Sequence, residues 1–123
     1  MSNKEQIETC INIYYEGCCE SDPAKIKEAF DQNAMISGYL PDGLHEMNLD
    51  EFAGFVDAQK PSPKEKGEPA RLEIVSIEIA GETAVARVRD DYLGQTFLDT
   101  LSLVKLEGDW SIYNKLYHIE GKA

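Results

Sequence analysis

The sequence predicts an α+β domain in which three N-terminal helices pack on one face of a curved, mainly antiparallel sheet. Two observations carry this. Apolar residues recur at helical spacing in the first half of the chain and at a spacing of two from residue 70 onward. The strand-like segments of the second half are joined by Gly81-Glu82, Leu93-Gly94 and Glu107-Gly108, connections short enough to make consecutive hairpins. Helices first and a meander last gather the helices on one side of the sheet, which gives a cone.

Taken in order, residues 4–19 carry Ile7, Ile11, Tyr14 and Cys18 as one helical stripe, widened by Cys10, Ile13 and Tyr15. Gly17 and Ser21-Asp22-Pro23 mark a stop and a restart: Asp22 can cap, and Pro23 suits a first helical position. A short second helix runs from Ala24 to Phe30, with Ile26, Ala29 and Phe30 inward. Ala34–Leu40 reads as a strand closed by the turn Pro41-Asp42-Gly43. The third helix opens on a capping-box pair, Asn48 and Glu51, with Met47 placed to staple onto Phe52; Phe52, Phe55 and Val56 form its apolar stripe. Lys60–Pro69, charged and Pro-rich, is expected to be the most mobile loop. Four strands follow, Ala70–Ala80, Thr83–Tyr92, Gln95–Leu106 and Asp109–Ile119.

Composition narrows the function classes. The 123 residues suit one domain, 1–123, with 12 basic against 23 acidic side chains and a formal charge of −11. Such a balance disfavours nucleic acid and anionic membrane surfaces, which reward basic patches. No apolar run approaches the roughly 18 residues of a membrane span, and the polar N-terminus does not read as a signal peptide. Cys10, Cys18 and Cys19 have no zinc-type spacing and fit a reducing cytoplasm as free thiols. No metal and no cofactor is expected, since phosphate loops, nucleophile elbows and HExxH are all missing.

An incompletely filled cone is a pocket, so polar residues on the parity that faces the helices are the candidates for function. Asp99 interrupts Phe97, Leu101 and Leu103; a buried carboxyl there is a candidate acid or base. On the last strand Trp110, Ile112, Asn114, Leu116 and His118 share one parity, which would bring Asn114 and His118 inward. Tyr14 on the first helix, Tyr39 at the end of the first strand and Phe55 on the third helix complete the expected ligand contacts. His45, in the turn after the first strand, is placed at the mouth but read as facing water. Arg87 and Arg89 share a parity with Val85 and Asp91, an exposed sheet face that can pair with a second copy of the chain.

Tyr14-Tyr15-Glu16-Gly17, Asp22, Ala29-Phe30 before Asn33-Ala34, Asn48-Leu49-Asp50-Glu51-Phe52 and the tail Gly108–His118 resemble the Putative lumazine-binding family of the nuclear transport factor 2-like (SnoaL-like) superfamily. The resemblance covers nearly the whole chain. It implies a cystatin-like cone, a homodimer and a cavity under the helices that takes a pterin- or flavin-like or polycyclic carbonyl ligand. Ketosteroid isomerase, cyclases and dehydratases of that superfamily work with a carboxylate base and tyrosine or acidic donors. In the isomerase the base ends the first strand, where this chain reads Ile36-Ser37-Gly38-Tyr39. It also has Asp31-Gln32 where related members often carry His-Pro. The expectation is therefore a small-molecule-binding protein. The alternatives are an enzyme using Asp99 with Tyr14 or Asn114, and a dimeric interaction protein with a filled cone.

Overall fold

A computed structural model describes all 123 residues, Met1–Ala123. The first helix, α1 (Asn3–Glu20), opens on a capping box the sequence reading passed over: the Ser2 side chain accepts from Glu5 N–H while Glu5 accepts from Ser2 N–H. It buries the expected stripe. It stops at Ser21, held in the left-handed conformation at φ 51°. Gly17 lets the next helix approach, because a side-chain carbon there would come within 3.0 Å of Ile26 Cδ1. That helix, α2 (Pro23–Ala29), begins as expected, with Asp22 capping Ala24 and Lys25 N–H.

Two boundaries differ from the expectation. Phe30 does not end α2 but starts β1 (Phe30–Leu40), its backbone already extended at φ −106° and ψ 145°. The stretch after the Pro41-Asp42 turn, expected to be irregular, is a strand, β2 (Gly43–Asn48), paired antiparallel with β1 from Leu40↔Gly43 to Met35↔Asn48. His45 therefore sits on a strand, and its alternation puts it on the same face as Met47. The third helix, α3 (Leu49–Asp57), carries the expected Asn48–Glu51 capping box.

The meander is as expected: β3 (Leu72–Ala80), β4 (Thr83–Tyr92), β5 (Gln95–Leu106) and β6 (Asp109–Lys122) pair antiparallel in succession. β1 returns alongside β6 in parallel, so the six strands run β2-β1-β6-β5-β4-β3 in one open, curved sheet. The core fills the space between the helices and the inner face, joining Ile7, Ile11 and Tyr14 to Ile36, Val88 and Leu101. The Lys60–Pro69 loop is pinned at its start. Ser62 is buried and exchanges hydrogen bonds with Glu65, and Lys64 N–H donates to Cys19 O at 3.0 Å. No helix is long and apolar enough to cross a membrane.

The largest correction lies in β6. Ile112 faces Leu103 and Asn114 faces Ser102, so Tyr113 has no partner of its own and the strand bulges there. One inserted residue reverses the alternation beyond it. Trp110 and Ile112 point inward as expected, but Asn114, Leu116 and His118 are exposed, while Lys115 is buried and Tyr117 faces the core side.

Candidate functional site

Between α3, the β1–β2 hairpin and the β4–β5 turn the cone stays unfilled, leaving a cavity of about 270 Å³. Ile36, Met47, Phe52, Phe55 and Phe97 give it apolar walls. Its floor owes its shape to Gly38: a side-chain carbon there would lie 2.4 Å from the Tyr117 ring, so only glycine lets that ring lie across β1.

The bulge delivers Lys115 to this floor. It is 8% exposed, yet no carboxylate lies within 4.0 Å of its ammonium. Its Nζ sits 4.6 Å from the Phe52 ring centroid, 4.8 Å from that of Tyr14 and 5.6 Å from that of Tyr117. Three ring faces stabilise a cation without saturating its hydrogen-bond donors. An ammonium held this way, and lining an apolar cavity, is an anchor for a carbonyl or anionic oxygen.

Deeper in the cone lies an acid pair. Tyr14 O–H donates to Asp99 Oδ2 at 2.8 Å, and Asp99 is fully buried. Asp90, on the inner face of β4, is buried beside it, two residues along the strand from Val88, the partner of Asp99. Burial pushes the Asp99 carboxyl up, against the opposing pull of Lys115 and Tyr14. The Asp90 carboxyl is pushed up to about 8, by burial first and by the Asp99 charge second. Asp90 Oδ2 and Asp99 Oδ1 have no other partner, and two adjacent carboxylates cannot both ionise cheaply. One proton between them leaves a single negative charge to balance Lys115. Neither acid lines the cavity.

At the mouth His45 lines the cavity, with Nε2 2.7 Å from Asp42 Oδ1. A wider depression of about 520 Å³ lies beyond Tyr92. Its best polar groups are already used: Tyr15 O–H donates to Asp91 O and accepts from Arg71 N–H, and Asp91 binds Arg71 and Thr96.

Of the residues singled out from the sequence, the structure brings Tyr14 and Asp99 together and places Phe55 in the cavity wall. Tyr39, 70% exposed, turns to the outer face of the sheet, as do Asn114 and His118. Lys115 and Asp90 were missed, and His45, placed at the mouth but read as facing water, lines the cavity. Asp90 was legible, since it continues the inward series Ala84, Ala86 and Val88 on β4; the bulge that turns Lys115 inward leaves no comparable signal.

The model of the family described as Putative lumazine-binding matches residues 2–118. Among solved structures, the chain is similar to an NTF2-like protein of unknown function from Shewanella baltica OS155, with 30% identity and a TM-score of 0.84 over 97% of this chain and 94% of that one. A second NTF2-like protein of unknown function, from Silicibacter pomeroyi DSS-3, is 22% identical with a TM-score of 0.85, over 98% of this chain and 100% of the other. A domain of unknown function with a cystatin-like fold from Nostoc punctiforme PCC 73102 aligns at a TM-score of 0.72 and 13% identity, over 95% and 78% of the two chains. No curated protein matches.

Proposed function

We propose that this chain, which belongs to the Putative lumazine-binding family and has the nuclear transport factor 2-like fold, binds a small flat compound with a carbonyl or anionic oxygen. The observation that carries the reading is Lys115: a buried, unpaired ammonium in an aromatic cage at the floor of an apolar cavity. The cavity falls just below the roughly 300–1,000 Å³ typical of drug-sized ligands. That size favours a two-ring pterin-like compound over a tetracycle. In this reading Phe52, Phe55 and Phe97 sandwich the rings, Lys115 holds the oxygen, and Tyr14, Asp99 and Asp90 form the polar foundation behind Lys115. The exposed residues of β1, β2 and β6 support homodimerisation through the outer sheet face. The free thiols, two of them buried, support a reducing cytoplasmic setting.

A thermal-shift series with lumazine, other pterins and riboflavin tests this. A pterin is expected to raise the Tm of the wild type, and Lys115→Met to abolish that shift while still melting cooperatively. Asn114→Leu, on the outer face, is expected to leave the shift intact. An undiminished shift in Lys115→Met would sink the anchoring role of Lys115.

A further inference from the structure

Lys115 differs from the other lysines of the chain in what its nitrogen meets. Lys25, Lys27, Lys60, Lys64 and Lys66 reach carboxylates, and Lys105 donates to Asn3 Oδ1. Lys115 has no partner of either kind. Yet its nitrogen is not among the unpartnered polar atoms sealed from solvent, which are Asp90 Oδ2, Tyr92 O–H and Asp99 Oδ1. It therefore keeps an opening, and the cavity that Lys115 lines is that opening.

A lysine nitrogen facing an apolar cavity can do more than hold an oxygen: it can join a carbonyl carbon as an imine. The surroundings of the product decide whether it does. A protonated imine keeps the nitrogen and its positive charge in place, so the rings of Phe52, Tyr14 and Tyr117, at 4.6, 4.8 and 5.6 Å, attract it as they attract the ammonium. The two cations differ in their N–H groups. An ammonium has three donors to satisfy, and the chain offers none of them an acceptor; a protonated imine has one. A site that leaves an ammonium short of acceptors thus suits the imine better. Behind the cage, Asp90 and Asp99, whose carboxyls both feel the Lys115 charge, supply the opposing charge before and after condensation.

We infer that the cavity captures small aromatic aldehydes covalently, as a protonated imine on Lys115 Nζ. The inference rests on the reading that the cavity binds a small flat compound through a carbonyl oxygen. In the step, the ammonium gives one proton to solvent, and the nitrogen lone pair forms the N–C bond while the C=O π pair moves onto oxygen. A proton passes from nitrogen to that oxygen, giving a neutral carbinolamine. The hydroxyl then takes up the proton held by solvent and leaves as water while the nitrogen lone pair forms the C=N bond. One ammonium and one aldehyde become one protonated imine and one water, with nothing oxidised or reduced. An aldehyde is favoured over a ketone because its second substituent is hydrogen, the smallest group a cage of three rings has to admit.

Reductive trapping of the full chain with 2-naphthaldehyde and sodium cyanoborohydride tests this. The hydride turns the imine into a stable secondary amine, and peptide mapping locates the naphthylmethyl group. Early in the reaction Lys115 is expected to carry the group at least about 10-fold more than any other amine, a small part of what positioning can supply. Lys115 is 8% exposed, so it can outrun exposed lysines only through the cavity. Excess 2-naphthoate, with the same rings and an anionic oxygen, is expected to slow trapping on Lys115 and on no other lysine. Lys115→Arg keeps the charge but cannot form the imine, and is expected to lose the fast-trapped product while its exposed lysines react as before. Mapping in the wild type decides the question even if that variant fails to fold. Saturation-transfer NMR with 2-naphthoate reads binding separately. Saturation transfer with trapping on Lys115 no faster than on exposed lysines overturns covalent capture and leaves the binding reading standing. Absence of both saturation transfer and preferential trapping overturns both.

Discussion

Asp90 is where burial and charge oppose each other most directly. Its carboxyl titrates near 8 in the folded chain, raised by burial and by Asp99, against about 3.9 when unfolded. A carboxyl raised on folding makes the native state bind more protons than the unfolded one, so its contribution is full below about pH 4 and fades as pH rises through 8. Each pH unit crossed in that window removes on the order of 1.4 kcal/mol. Asp90→Asn keeps the shape, can donate to Asp99 through its amide, and removes the titration. We expect it to flatten the fall in Tm between pH 5 and 8 and to raise Tm at pH 8. Melting curves with the wild-type slope would show that Asp90 is ionised throughout. Asp90 itself was readable in the sequence, because Ala84, Ala86, Val88 and Asp90 keep one parity on an unbroken strand. The charged neighbours Arg87, Arg89 and Asp91, which face outward, give that stretch of β4 the look of a solvated face and mask the one acid that points inward.

At the scale of an element, β6 decides what the cavity contains. Strand parity is a cumulative count, and a single inserted residue inverts everything beyond it. Up to Ile112 the sequence pattern and the strand agree; after Tyr113 they disagree at every position. The pattern misled because Leu116, a large apolar residue, suits the inward parity better than Lys115, although it ends 57% exposed. Nothing local marks a bulge at Tyr113, whereas the helix caps at Asp22 and Asn48 were readable because they act through side chains a few residues away. Deleting Tyr113 removes the extra residue, so Asn114 follows Ile112 directly and the strand regains an unbroken period of two with Ile112 and Lys115 inward and Asn114 outward. The expected result keeps Lys115 buried, its labelling by an amine reagent as slow as in the wild type. Rapid labelling of Lys115 in the deletion variant would rule out Tyr113 as the inserted residue that turns it inward.

For the whole molecule, the helices cover only one face of the sheet, and the other carries apolar residues that nothing in the chain covers. Tyr39 and Leu44 pair across β1 and β2, Ser37 beside them pairs with Leu116 on β6, and Met35 lies opposite Asn114. Tyr39, Leu44 and Leu116 are each at least half exposed. Clustered apolar exposure of this kind marks an interaction surface. A second copy of the sheet offers the same patch, and an isologous pairing closes on itself. Charge works against it: each chain carries −11, so two copies repel at long range. Salt shortens that repulsion to about 10 Å at 0.1 M and about 3 Å at 1 M while leaving apolar burial in place. Dimerisation through this face should therefore tighten as ionic strength rises, the reverse of an interface held by ion pairs. Sedimentation equilibrium at micromolar concentration is expected to give a mass near twice the 13.8 kDa chain, with a dissociation constant that falls between 0.05 and 0.5 M NaCl. Leu116→Asp, which adds a repelling charge at the centre of the patch, is expected to shift the protein to monomer without lowering its pterin-induced thermal shift. A wild-type monomer at both salt concentrations would remove the dimer, and a dimer unaffected by Leu116→Asp would move the interface to another face.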